Sequence, residues 1–188
     1  MKTKRLSLAE KIAINRKENE KLKKKILKDG SKLFNQAVKY FFKKYNDLDS
    51  FDWTQYTPNW NDGSECVFSC HFDSISINSE SEKGHNEGLW LLQEICELLK
   101  NKTAEESRIV MELANKEDKK SWEVEKLKSD LETIKTRNFE EVFRKYTIKK
   151  EISETLSLIE EEVYKDMFGE GKIIINREGA SIEDCLHD

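Results

Sequence analysis

Phe51-Asp52-Trp53-Thr54-Gln55-Tyr56-Thr57, followed after a polar turn by Cys66-Val67-Phe68-Ser69-Cys70-His71-Phe72, is the stretch that decides the fold. Both runs alternate and are rich in aromatic and β-branched residues, the signature of half-buried strands. Between them Pro58-Asn59-Trp60-Asn61-Asp62-Gly63-Ser64 is dense in turn formers, with Asp62-Gly63 suited to positive φ. The pair reads as a β-hairpin with a long aromatic loop. On the return strand Cys66, Phe68, Cys70 and Phe72 share one face, with Val67, Ser69 and His71 on the other.

Upstream the period is helical. Ser7-Leu8-Ala9-Glu10 has capping-box spacing, in which hydroxyl and carboxylate each satisfy an orphan amide. A helix over 7–28 follows, with Leu8, Ile12, Leu22, Ile26 and Leu27 as a thin, interrupted apolar stripe, and Asp29-Gly30 ends or bends it. A second helix over 31–45 is a core element, with Leu33, Phe34, Val38, Phe41, Phe42 and Tyr45 at three- and four-residue steps. Downstream, 73–88 reads as a polar loop, and a helix from Leu89 turns Leu91, Leu92, Ile95, Leu98 and Leu99 inward.

Residues 103–147 read as a long charged helix or helical hairpin with its tip at 115–121. Val124, Leu127, Leu131, Ile134 and Asn138 form a short heptad-like seam there, which suggests homo-oligomerisation through the arm. One further helix carries Ile148, Ile152, Leu156, Ile159, Val163 and Met167 and stops at Gly169. Lys172–Asn176 and Ser181–Cys185 complete a second hairpin. The expected fold is α+β: a small antiparallel sheet of about four strands, helices on one face, and a helical arm. The domains are then a basic N-terminal helix (1–30), an α+β core (31–100 and 148–188) and the arm (101–147).

Composition agrees with elongated helix. Among 188 residues, 37% are apolar and 37% charged, which leaves little for one spherical core. Net charge is −4, yet residues 1–28 carry eleven Lys/Arg against three Glu. That segregation marks an interaction segment or a tail folding back on its body. No apolar run is long enough to span a bilayer and no secretory signal follows the basic start, so a cytoplasmic setting is expected. Four cysteines without regular spacing suit the same reducing compartment.

The block from Trp53 to Gly63, with Cys66 and Phe68 after it, resembles one found in a family of small, uncharacterised bacteriophage and viral proteins. Leu33-Phe34, Phe41-Phe42-Lys43-Lys44-Tyr45 and the stretch from Met167 through Ile173–Gly179 to His187-Asp188 are similar to that family too. Trp60 stands where the family carries Phe, and Asn46 where Pro is common. The resemblance covers roughly 31–72 and 155–188 and implies a viral source without a mechanism.

The chemistry-bearing residues are few. Gln55, Tyr56, Asn59, Asn61, Asp62 and Glu65 crowd the hairpin loop, and an Asp62/Glu65 pair suits acid–base work or a hard cation. Turn chemistry explains the same residues without either. Cys66, Cys70, His71, His85, Cys96, Cys185 and His187 make a zinc set only on paper. Cys66 and Cys70 would lie about 13 Å apart on an extended strand, too far for one metal with bonds of about 2.3 Å.

The residues imply no catalytic group, no metal and no cofactor. The expected role is a non-enzymatic protein-interaction factor, a viral accessory protein acting on a host defence protein through Trp53, Gln55, Tyr56, Trp60, Asn61 and Asp62. Two alternatives stand beside it. One is a small-molecule or nucleotide-signal enzyme using Gln55, Asp62, Glu65 or His71. The other is nucleic-acid binding through Lys21, Lys23, Lys24, Lys25 and Lys28.

Overall fold

The computed structural model describes residues 7–59, 65–78, 88–114 and 120–184. Chain order is α1 (Leu8–Lys44), β1 (Ser50–Tyr56), β2 (Ser69–Ile77), α2 (Leu89–Lys100), α3 (Lys102–Ala114), α4 (Ser121–Thr136), α5 (Phe139–Leu156), α6 (Glu161–Phe168), β3 (Gly171–Asn176) and β4 (Ala180–Glu183). The strands form one antiparallel sheet in the order β2-β1-β3-β4. The aromatic hairpin and the C-terminal hairpin therefore share a sheet, with β1 pairing β3 from Ser50↔Asn176 to Gln55↔Gly171. The expected α+β architecture is what the chain adopts.

Phe51, Trp53 and Gln55 turn to the helical side of β1 and are all buried. Trp53 is the hub. Its ring lies 5.6–6.2 Å from those of Phe34, Phe51, Phe72, Tyr164 and Phe168. Phe41, Ile75, Ile152, Leu156 and Ile173 extend this core, each fully buried.

A second core lies apart from the sheet. Leu92, Ile95, Cys96 and Leu99 of α2 meet Ile109 of α3, Leu127 and Ile134 of α4 and Val142 of α5. Thus α2 buries its apolar face among the arm helices. The arm is a hairpin of α3 and α4 laid on α2, with residues 115–119 of its tip outside the described residues. The Leu127/Ile134 seam is filled by the chain's own helices, so it offers no free stripe for pairing with a second copy.

α5 belongs to both cores: Val142 sits in the second, while Ile148, Ile152 and Leu156 sit in the first. Arg144 fixes its near end by donating to both carboxylate oxygens of Asp47, at 2.8 and 2.6 Å.

Three expectations fail locally. First, α1 does not stop at Asp29-Gly30; it is one helix of 37 residues. Gly30 is buried, and a Cβ placed on it would come within 2.5 Å of Val163 Cγ2. The residue read as a stop is the point where α6 crosses α1, and its missing side chain permits the approach.

Second, β2 starts later than expected and runs to Ile77 through the segment read as loop. The register jumps from Asp52↔Ser76 to Thr54↔His71, inserting three extra β2 residues, and Ser74 Oγ donates to the His71 carbonyl within the bulge. An odd insertion flips parity. Cys70 and Phe72 face the core before it, and Ile75 and Ile77 after it.

Third, the helix carrying Ile148 to Met167 is two helices. The turn after Leu156 is held by Ile159 N–H and Tyr164 Oη–H, both donating to the Leu156 carbonyl.

The C-terminus of α1 is locked from the far end of the chain. Arg177, in the β3–β4 turn, donates to the carbonyls of Phe42, Asn46 and Leu48 at 3.2, 3.0 and 2.9 Å and lies over the Phe42 ring. A cation on the last carbonyls of a helix satisfies orphan acceptors and complements the helix dipole. On the other side Glu151 of α5 accepts from Tyr40 Oη (2.9 Å), Lys44 Nζ (2.5 Å) and Tyr45 Oη.

Gly30→Ala is expected to destabilise the protein by about 1–2 kcal/mol, overpacking outweighing the helix-propensity gain. Urea denaturation of the Gly30→Ala/Val163→Ala pair checks it: the double variant loses less than the sum of the two single losses.

A second outcome concerns pH. Burial works to raise the pKa of Glu151, but its hydrogen bonds from Lys44, Tyr45 and Tyr40 outweigh burial and leave it below the usual carboxylate value. A depressed folded pKa gives stability that is present above the unfolded value and lost as pH falls through the folded one. Thermal melts between pH 7 and pH 3 are expected to show a steepening loss below about 4.5 that Glu151→Gln flattens.

Candidate functional site

β1 delivers the sequence-predicted site residues, but to different places. Trp53 is only 1% exposed and Gln55 fully buried, which removes both as contact anchors. The Gln55 side chain is a four-way clamp. Its amide donates to the carbonyls of Tyr164 (3.2 Å) and Gly169 (2.7 Å), and its Oε1 accepts from Trp53 Nε1 (2.9 Å) and Cys70 Sγ (3.5 Å). Its hydrogen-bonding capacity is spent inside the core, leaving nothing for a substrate.

Tyr56 is half-buried at the strand end, its ring stacked on His71 at 4.7 Å. Trp60, Asn61 and Asp62 lie outside the described residues, as do His85, Cys185 and His187.

A cavity of about 390 Å³ opens beside β2, lined by Ser69, Cys70, His71, Asp73, Ser153 and Glu161 among others. Of the residues named for the enzymatic alternative it holds His71; Gln55 and Glu65 do not line it, and Asp62 lies outside the described residues. Glu161 is already engaged, accepting from Cys70 N–H (3.1 Å) and Ser69 Oγ (3.3 Å). Burial, reinforced by the Glu161 charge, pushes the Cys70 thiol up to about 12, so it stays protonated at neutral pH. Burial likewise raises the Tyr164 hydroxyl and the Cys96 thiol. His71 Nε2 is buried without a hydrogen-bond partner among the described residues. The Cys70 thiol donates to Gln55, and His71 Nε2 activates no nucleophile among the described residues. Among the described residues no group of three His, Cys, Asp or Glu side chains is placed to hold a metal.

The basic helix does not fold back on the acidic body over most of its length. From Ser7 to Ile26 every residue of α1 is exposed, including Lys21, Lys23, Lys24 and Lys25; Lys28 beyond it is exposed too. The predicted capping box forms: Ser7 Oγ accepts from Glu10 N–H at 3.2 Å, and Glu10 Oε2 from Ser7 N–H at 2.7 Å. Lys23 reaches Glu162 at 3.5 Å, both side chains about two-thirds exposed. Such a pair adds little. The helix leaves the body as a basic rod.

Sequence reasoning missed the surface where that rod meets the body. Leu22, Ile26, Asp29, Gly30 and Leu33 of α1 face Leu158, Ile159 and Val163 across a groove of about 380 Å³. Leu158 is 86% exposed, while Leu22, Ile26 and Leu33 are each half exposed or more. The signal was present: Leu33 counted toward a core face it does not occupy, and Leu158 sat in the stretch read as continuous helix.

No family model, no curated protein and no solved structure matches this chain. Among the described residues no helix is long and apolar enough to cross a membrane.

Gln55→Leu is expected to cost about 2–4 kcal/mol, because it strands a buried indole N–H and two carbonyls. A urea titration followed by tryptophan fluorescence checks the loss. An unchanged midpoint would return Gln55 to the list of functional residues.

Proposed function

We propose that this protein is a non-enzymatic interaction factor that works by holding another protein. The observation that carries the reading is the exposed half of α1: about twenty helical residues bearing apolar and basic side chains project from a body that locks only their C-terminal continuation. An apolar stripe left uncovered on a charged helix is costly in water unless a partner covers it. The spent hydrogen bonds of Gln55 and the protonated Cys70 weigh against the enzymatic alternative. The resemblance of the Trp53–Gly63 block to small bacteriophage proteins supports a viral accessory factor acting on a host protein.

Nucleic-acid binding is a second reading, favoured by the spacing of Lys21, Lys24 and Lys28, which places three exposed cations along one helix face. Phosphate neutralisation needs no more than such a row, and makes binding strongly salt-dependent.

Affinity capture on the immobilised full chain, with and without nuclease, separates the two. A near-equimolar protein retained after nuclease treatment is the expected result. Retention of nucleic acid alone, lost in a Lys21→Glu/Lys24→Glu/Lys28→Glu variant, would replace the first reading with the second.

A further inference from the structure

The interrupted apolar stripe of α1 keeps unbroken heptad spacing once its three polar positions, Asn15, Asn19 and Asp29, are counted. From Leu8 the positions step by 4, 3, 4, 3, 4, 3 and 4 through Ile12, Asn15, Asn19, Leu22, Ile26 and Asp29 to Leu33. In heptad terms Ile12, Asn19, Ile26 and Leu33 occupy a, and Leu8, Asn15, Leu22 and Asp29 occupy d. Ile at a with Leu at d is the two-helix pattern, and Asn in the seam selects register at some expense of stability. All these residues are exposed, and the seam runs about 38 Å along one continuous helix. Its C-terminal half, Leu22 to Leu33, forms one wall of the groove whose other wall is Leu158, Ile159 and Val163.

The flanks decide the occupant. Positions e and g beside the seam carry Lys11, Arg16, Lys23, Lys25 and Lys32 against the single acid Glu18. A second copy of the chain gains nothing from the flanks in parallel, where one like pair offsets one opposite pair, and meets like charge in antiparallel. Acidic flanks would instead meet five cations and one acid. In a parallel pair Lys11 faces Arg16, and only Glu18 finds an opposite charge, at Lys23. In the antiparallel register that matches Asn15 to Asn19, Lys11 faces Lys25, Glu18 faces Glu18 and Arg16 faces Arg16. Flanking charges set partner choice in such pairs, and like charges oppose association.

We infer that the seam and groove receive an amphipathic helix of another protein, with Leu or Ile on a heptad stripe and Glu or Asp on both flanks. This rests on the interaction reading above and narrows the partner's chemistry. On the e flank, Lys23 pairs with Glu162 of α6 at 3.5 Å, an exposed contact that exchanges for a partner carboxylate at little cost, and Lys25 lines the groove beside the acids Asp29 and Glu160.

The probe is a synthetic helix of about four heptads with Leu and Ile on the seam, Asn opposite Asn15 and Asn19, and Glu at every e and g position. A control keeps the seam and carries Lys on its flanks. Both are titrated into the full-length protein by calorimetry. The acidic peptide is expected to bind at least tenfold more tightly than the control, less tightly as salt rises.

A Lys11→Glu/Arg16→Glu/Lys23→Glu/Lys25→Glu variant is expected to reverse that order. Leu22→Glu/Ile26→Glu, at exposed positions that leave the cores intact, is expected to abolish binding of either peptide, and Leu158→Glu to weaken it. Circular dichroism and melting confirm that each variant is folded. Equal binding of the two peptides, or binding of neither, overturns the inference. So does a chain that sediments as a dimer and becomes monomeric in Leu22→Glu/Ile26→Glu, since a second copy is then the occupant. If capture yields a protein partner whose retention survives Leu22→Glu/Ile26→Glu, the interaction reading stands and this one falls.

Discussion

A tryptophan at the centre of an aromatic core must give its indole N–H to an acceptor, because a buried donor left unpaired costs more than most single contacts return. Here the acceptor is Gln55, two residues along the same strand face, and the consequences spread from that bond. With its oxygen held by Trp53, the Gln55 amide points at the carbonyls of Tyr164 and Gly169 and pins α6 and its C-cap to β1. Gly169 takes a positive φ of 73°, which ends α6 and turns the chain into β3. β3 then pairs β1 residue for residue. One satisfied indole thus ties residue 53 to residues 164–176 and closes the sheet across the whole sequence.

α1 is positioned by the same closure. Phe34 meets Trp53, Tyr164 and Phe168 edge-on, and Arg177, carried by the turn after β3, grips the Phe42 carbonyl in the last turn of the helix and the Leu48 carbonyl just beyond it. The helix is held at its C-terminal half by ring packing, at its end by a guanidinium, and at Gly30 by the close approach of Val163. N-terminal to that crossing the helix first borders the groove at Leu158, as far as Leu22, and then extends beyond the body.

The sheet was legible because strand chemistry is local: period-two alternation with aromatics marked β1, and a run of Ile marked β3. Trp53 was read as a contact anchor although it shares a face with Phe51, and a strand cannot bury one and offer the other to a partner. What escaped local reading depended on distant residues. An odd-numbered bulge reverses which residues face inward, so the Ser-Ile alternation of 74–77 looked unrelated to Cys66–Phe72. Gly30 looks identical as a helix stop and as a crossing point; only Val163, more than a hundred residues away, distinguishes them. The α4 seam was read correctly as apolar but assigned to a second copy, since spacing alone does not say whose helices fill it. The groove at Leu158 needed the break between α5 and α6, which hangs on the Tyr164 hydroxyl reaching the Leu156 carbonyl.

The continuity of α1 matters most for its free half. A helix of about twenty residues with this much charge is marginal in isolation, because the first turn must be ordered before any bond repays it. In this protein the buried half supplies the nucleus, so each further residue toward the N-terminus adds a hydrogen bond to a helix already formed, and the Ser7–Glu10 capping box closes the far end. A stop at Gly30 would have left a detached basic segment that had to fold on meeting its partner. The unbroken helix has its ordering cost met by the core, and a pre-ordered surface keeps more of its contact energy as affinity. The clamp around Trp53 and the presentation of the α1 seam are therefore coupled: loosening the core removes the nucleus that keeps the exposed half helical.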